Sequence, residues 1–148
     1  MLFLFIRISW AVYFKRRIMF KDNVVITGEC FNLFKDLLDD FQHQVIYLLN
    51  EDGYRYTITS ANDKNHSQNS LHYKNKAIDV RIKDILLKPE YRKILLEAIV
   101  VYLGSVYTEF VFILHLRDGK NHLHIQYGRD NIKSFDSAVG ENKNVFLR

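Results

Sequence analysis

Cysteine is nearly missing from this chain. The one thiol among 148 residues, Cys30, excludes an internal disulfide and any cysteine-based zinc cluster. Its setting marks it as a small apolar residue buried in a helix. With no disulfide framework, the redox compartment stays open. Internal repeats and Pro-, Gly- or Ser-rich linkers are absent too, and the sole proline, Pro89, stands where a helix would begin. The first 14 residues are almost wholly apolar but broken by Arg7, and fall short of the ~20 that span a bilayer. A secretory leader is not recognisable either, because the basic cluster Lys15-Arg16-Arg17 follows the apolar run and no small-residue cleavage site is present. Apart from that cluster the positive charges are scattered. A net charge of +4 without a recognition helix or stacking motif gives no reason to expect a nucleic-acid partner.

What is present is enough apolar matter for a core. Apolar residues make up 48% and aromatics 14%, which argues against disorder, and the length suits one domain rather than two. The mild basic excess fits attraction to any polyanion, an anionic cell wall included. Residues 1–18 allow three readings: a short anchor in contact with a membrane, an extra strand or helix, or upstream sequence counted in by starting at Met1 instead of Met19. The last is favoured, because Met19 opens directly into domain-like sequence. The expected organisation is therefore an uncertain segment 1–18, a domain 19–128 and a polar, peripheral tail 129–148.

Apolar residues recur at helical spacing from Glu29 to Leu49 (Phe31, Phe34, Leu37, Leu38, Phe41, Val45, Leu48), and Asn50-Glu51-Asp52-Gly53 reads as a stop and turn. Tyr54–Ser60 alternates like a strand, and Ala61–Asn69 is a polar loop. Ala77–Ile82 is a second strand, with Ala77, Asp79 and Arg81 on one face. Glu90–Leu103 is expected as a helix closed by Gly104. Thr108–Leu116 reads as a strand buried on both sides, turning at Asp118-Gly119 into a partner strand, Asn121–Tyr127. The fold class is α+β, helices packed on an antiparallel sheet.

Four of the six histidines, His66, His72, His122 and His124, fall in two short segments beside the strand-borne Asp79. His72 and Asp79 can turn back to one point if Asn75 takes a left-handed conformation. His122 and His124 lie two apart on a strand and share a face, which brings His124 into the set if that face looks onto Asp79. Two imidazoles and a carboxylate with a position left for water describe a catalytic zinc site rather than a structural one.

The order Ser70-Leu71-His72-Tyr73, then Ala77-Ile78-Asp79, then His122-Leu123-His124 resembles the hedgehog/D-Ala-D-Ala peptidase superfamily of zinc metallopeptidases. The stretch from His66-Ser67 to Tyr73 looks particularly like the hedgehog signalling domains. Asn75 replaces the family's glycine. The resemblance covers roughly Ile58 to Tyr127 and implies zinc bound by His72, Asp79 and His124. It also implies an acid shortly before the last histidine as the base that takes a proton from water. Asp118 matches that place and is favoured for it, with an ordinary Asp-Gly hairpin residue as the alternative; Asn121, where other members carry the acid, has no carboxylate. For His66 and His122 it implies carbonyl polarisation or oxyanion binding. Arg81 could grip a substrate carboxylate or form a salt bridge. His43 is expected in solvent and His115 in a structural role.

Two functions of different kind follow. The first is a monomeric zinc peptidase cutting D-amino-acid-containing stem peptides of bacterial peptidoglycan, as carboxypeptidase or endopeptidase, and so acting on the cell wall. It would suit phage lysis or bacterial wall trimming. The alternative is a catalytically inactive zinc-binding interaction module of the same fold. Asp118 separates them.

Overall fold

The computed structural model describes residues 19–21, 24–62, 70–72, 74–87, 91–116, 121–130, 132 and 137–148. Among them, seven strands form one sheet: β1 (Met19–Phe20), β2 (Thr57–Ser60), β3 (Ala77–Arg81), β4 (Phe110–His115), β5 (His122–Tyr127), β6 (Ser137–Val139) and β7 (Val145–Leu147). Their spatial order is β1-β2-β3-β5-β4-β7-β6. Three helices accompany them: α1 (Gly28–Leu49), the short α2 (Lys83–Leu86) and α3 (Tyr91–Val106). The α+β class holds. The central strands β2, β3, β5 and β4 pair antiparallel, as expected, but β1 with β2 and β4 with β7 pair parallel, so the sheet is mixed.

Helix α1 starts where Thr27 Oγ1 accepts from Cys30 N at 3.1 Å and ends at Asn50, whose left-handed φ of 53° stops it. Cys30, Phe34, Leu37, Leu38, Phe41, Val45 and Leu49 form its buried stripe. Phe31 and Leu48, expected inside, sit at the stripe's margins, with Leu48 exposed. Buried Gln42 accepts from Tyr56 N at 3.2 Å and so ties the helix to the chain entering β2. Cys30 is fully buried, and burial first, then the charge of Glu29, pushes its thiol up to about 11. It is a small residue buried in a helix, as its sequence setting implied.

Helix α3 does not close at Gly104 but continues to Val106. The glycine serves packing instead: a Cβ there would lie 2.7 Å from Val145 Cγ2 and 2.9 Å from Asn144 Oδ1. The segment expected as a peripheral polar tail accounts for that contact. Its β7 runs beside β4, Val145 and Phe146 are buried, and Asn144 Nδ2 donates to the carbonyls of Gly104 and Phe110 at 2.9 and 3.0 Å. Three-residue strands set among polar residues carry too little periodicity to be read from sequence.

Strand alternation divides the sheet. Ile78, Val80, Leu123, Ile125, Phe112, Leu114 and Val145 join the stripes of α1 and α3 in the main core. The register puts the other set on the opposite face: Ala77, Asp79 and Arg81, then Gln126, His124 and His122, then Val111, Ile113 and His115. There Val111, Ile113 and Phe146 form a second small cluster with Ile132. This explains how β4 is buried on both sides, as its sequence predicts. No helix among the described residues is long and apolar enough to cross a membrane.

Candidate metal centre

Asp79 in β3 lies directly across from His124 in β5. A shift of register in β2 between Ile58 and Ser60 brings Ser60 beside Asp79 and carries the chain on to Ala61, whose carbonyl faces His72. The His72 turn is closed by Leu71 O, which accepts from Lys74 N and Lys76 N at 3.1 and 3.0 Å. Asn75 adopts the left-handed conformation that its sequence position demanded, at φ 59°. Asn62 Nδ2 clamps the turn from outside, donating to His72 O at 2.8 Å and Asn75 Oδ1 at 2.6 Å. Thr27, the N-cap of α1, donates its hydroxyl to the same Asn75 oxygen at 2.9 Å.

These elements bring three side chains together. The ligand atoms of His72, Asp79 and His124 all lie within 4.8 Å of one another. His72 is 5% exposed, and its Nδ1 sits 2.9 Å from the carbonyl of Ala61. A carbonyl only accepts, so the ring hydrogen belongs on Nδ1, and Nε2 offers its lone pair 3.6 Å from Asp79 Oδ1. His124 Nδ1 lies 2.8 Å from the same oxygen. The two rings meet edge to face with centroids 5.3 Å apart. Burial pushes the Asp79 carboxyl up. The hydrogen bond from His124, and the positive charge that His124, His72 and His122 carry when protonated, outweigh it and hold the group below its usual value. A half-buried carboxylate kept ionised between two imidazole nitrogens is a donor set that fits a divalent cation.

The other candidates divide. His122 shares the face, but its ring is stacked on His115, with centroids 4.1 Å apart and planes at 14°. It is not one of the three convergent residues. Arg81 pairs with His122 in register, one row from Asp79. His115, expected in a structural role, is half-buried with its ring against that of His122. Burial, then the positive charge of His122 and Arg148, pushes its pKa down from 6.5 to about 4. His43 is exposed on α1, as expected. Asp118 and His66 lie outside the described residues.

Sequence reasoning missed Gln126. It is 2% exposed, and its Oε1 lies 2.9 Å from His124 Nε2. A signal existed: 122, 124 and 126 alternate on one strand face, so the residue two beyond His124 had to neighbour it. No protein-family model matches the chain, and a search of curated proteins returns no match.

Proposed function

We propose that the protein is a zinc-dependent peptidase that hydrolyses stem peptides of bacterial peptidoglycan, with His72, Asp79 and His124 as the metal ligands. The observation that carries the metal is the convergence of two imidazole nitrogens on one ionised carboxylate, with the outer nitrogens of both rings held against carbonyl oxygens. The peptide substrate rests on the resemblance of the Ser70–Asp79 and His122–His124 segments to the hedgehog/D-Ala-D-Ala peptidases. Zinc, when bound, supplies a Lewis acid and lowers the pKa of water toward ~7. The chain's own groups do the rest: Asp118 accepts the proton and returns it to the leaving amine, and His66 and His122 donate to the developing oxyanion.

The test is incubation of the purified protein with peptidoglycan, with and without a zinc chelator, followed by mass analysis of released fragments. Elemental analysis before and after zinc reconstitution runs in parallel. Chelator-sensitive peptide release with about one zinc per chain is the expected result. Full zinc loading without cleavage of any muropeptide would make the protein a zinc-binding interaction module instead. Loss of zinc stoichiometry in His72→Ala, Asp79→Ala and His124→Ala, each compared with the parent, assigns the ligands.

A further inference from the structure

His124 is an imidazole between two oxygens. Its Nδ1 faces Asp79 Oδ1 at 2.8 Å and its Nε2 faces Gln126 Oε1 at 2.9 Å. A neutral ring has one hydrogen to give, and which nitrogen keeps it decides which one is open to a metal. Gln126 is not free to choose its orientation. Its amide nitrogen donates to Gly128 O at 2.8 Å and to Asp130 O at 2.7 Å. Turned over, its oxygen would meet both of those carbonyls and its NH2 would point at the ring, so two part-buried contacts between acceptors would replace two hydrogen bonds. The chain after β5 therefore holds Gln126 Oε1 as an acceptor. Gly128, at φ 88°, makes the turn that leads from β5 to Asp130.

We infer that Gln126 is a positioning residue for the metal centre: once a metal displaces the hydrogen that Nδ1 shares with Asp79, Gln126 accepts from Nε2–H, holds the hydrogen of His124 on the outer nitrogen and so leaves Nδ1 as the ligand atom. This rests on the reading of His72, Asp79 and His124 as a metal centre. His72 is set the same way in mirror sense, with Nδ1 held by the carbonyl of Ala61 and Nε2 turned inward. The two rings thus turn different nitrogens toward Asp79, and each has its other nitrogen against an oxygen that accepts. Gln126→Met leaves Nε2 without an acceptor while the Asp79 carboxylate still attracts the hydrogen to Nδ1, where a metal must displace it.

The experiment uses the full chain and zinc. Long-range proton–nitrogen spectra of the parent, recorded before and after zinc addition, identify which His124 nitrogen responds and which keeps its hydrogen. A zinc response at Nδ1 with the hydrogen on Nε2 is expected; the opposite assignment overturns the inference, and needs no variant. Zinc affinity by competition with a chelating indicator is then expected to fall about 10–100-fold in Gln126→Met. Gln126→Glu separates this role from simple tethering. Glutamate keeps an acceptor for Nε2–H but loses both donors to Gly128 and Asp130, so it is expected to bind zinc more tightly than the Met variant. Equal loss in both variants means Gln126 only ties down the turn, and overturns the inference. Parent affinity in Gln126→Met overturns it as well. A parent that takes up no zinc overturns the metal centre itself, and this role with it.

Discussion

Gly104→Ala should destabilise the protein, although alanine is the better helix former. In an open helix interior the change would favour folding by about 1 kcal/mol. Here the new methyl would stand 2.7 Å from Val145 Cγ2 and 2.9 Å from Asn144 Oδ1, well inside the ~3.5–4.0 Å of a comfortable carbon contact. Neither neighbour has room to retreat, for Val145 is 1% and Asn144 2% exposed. Overpacking of this kind costs about 1–3 kcal/mol. Displacing Asn144 also weakens its bonds to the carbonyls of Gly104 and Phe110, each worth roughly 1 kcal/mol net. The balance is a loss of about 1–3 kcal/mol. For a chain of this length that is a fall in Tm on the order of 3–10 °C. Thermal and urea unfolding of parent and variant measure it. Asn144→Ala offers a check through coupling: it opens space beside the methyl, so the double variant should lose less than the two single losses added together. An unchanged or raised midpoint in Gly104→Ala would refute the close approach of α3 to β7, and with it the place of the last strands in the sheet.

Removal of residues 1–18 is expected to leave a soluble, folded protein with parent zinc content; loss of folded protein on truncation would put that segment in the core. Asp118→Asn should lower peptide cleavage by about 10²–10⁴-fold while zinc content stays the same. Cleavage at near the parent rate would reduce Asp118 to a hairpin residue. His115 should contribute to acid sensitivity, since burial, His122 and Arg148 depress its pKa in the folded state from 6.5 to about 4, against the opposing pull of Asp79. The unfolded chain therefore binds the proton first, and the contribution is whole above pH 6.5 and lost as pH falls toward about 4. His115→Phe keeps an aromatic ring against His122 and removes the titration. Urea midpoints at both ends of that window should differ less in the variant than in the parent, and an equal difference would refute the assignment.

Much of the frame was legible because it obeys simple periods. The stripe of α1, the alternation of β3 and β5, and the stop at Asn50 are each dictated by side chains that have one good place to go. The same alternation made the meeting of Asp79 with His124 readable, given only that their strands pair. What escaped depends on partners distant in sequence. Gly104 reads as a helix end unless the approach of Val145 is known. Strand β7 is recognised by what it covers, Ile113 beside Phe146, and not by its own three residues. Met19 and Phe20 join β2 in parallel, a pairing for which two residues leave no pattern. Asn62 reads as part of a polar loop, and its grip on His72 and Asn75 needs the folded turn.

Two messages are interleaved in β3 and β5. The positions 78, 80, 123 and 125 spell the core, and 77, 79, 81, 122, 124 and 126 spell the chemistry. Because the letters alternate, either message can be rewritten by substitution while the other is left standing. A deletion of one residue behaves otherwise. It would exchange the two messages downstream, turning carboxylate and imidazole into the core and isoleucine into the site. The core letters of these strands should therefore drift in spelling among apolar residues without touching the site, while the strands hold their length rigidly. Length change would be left to the connecting loops and to the shift in β2, which already absorbs one irregularity between Ile58 and Ser60.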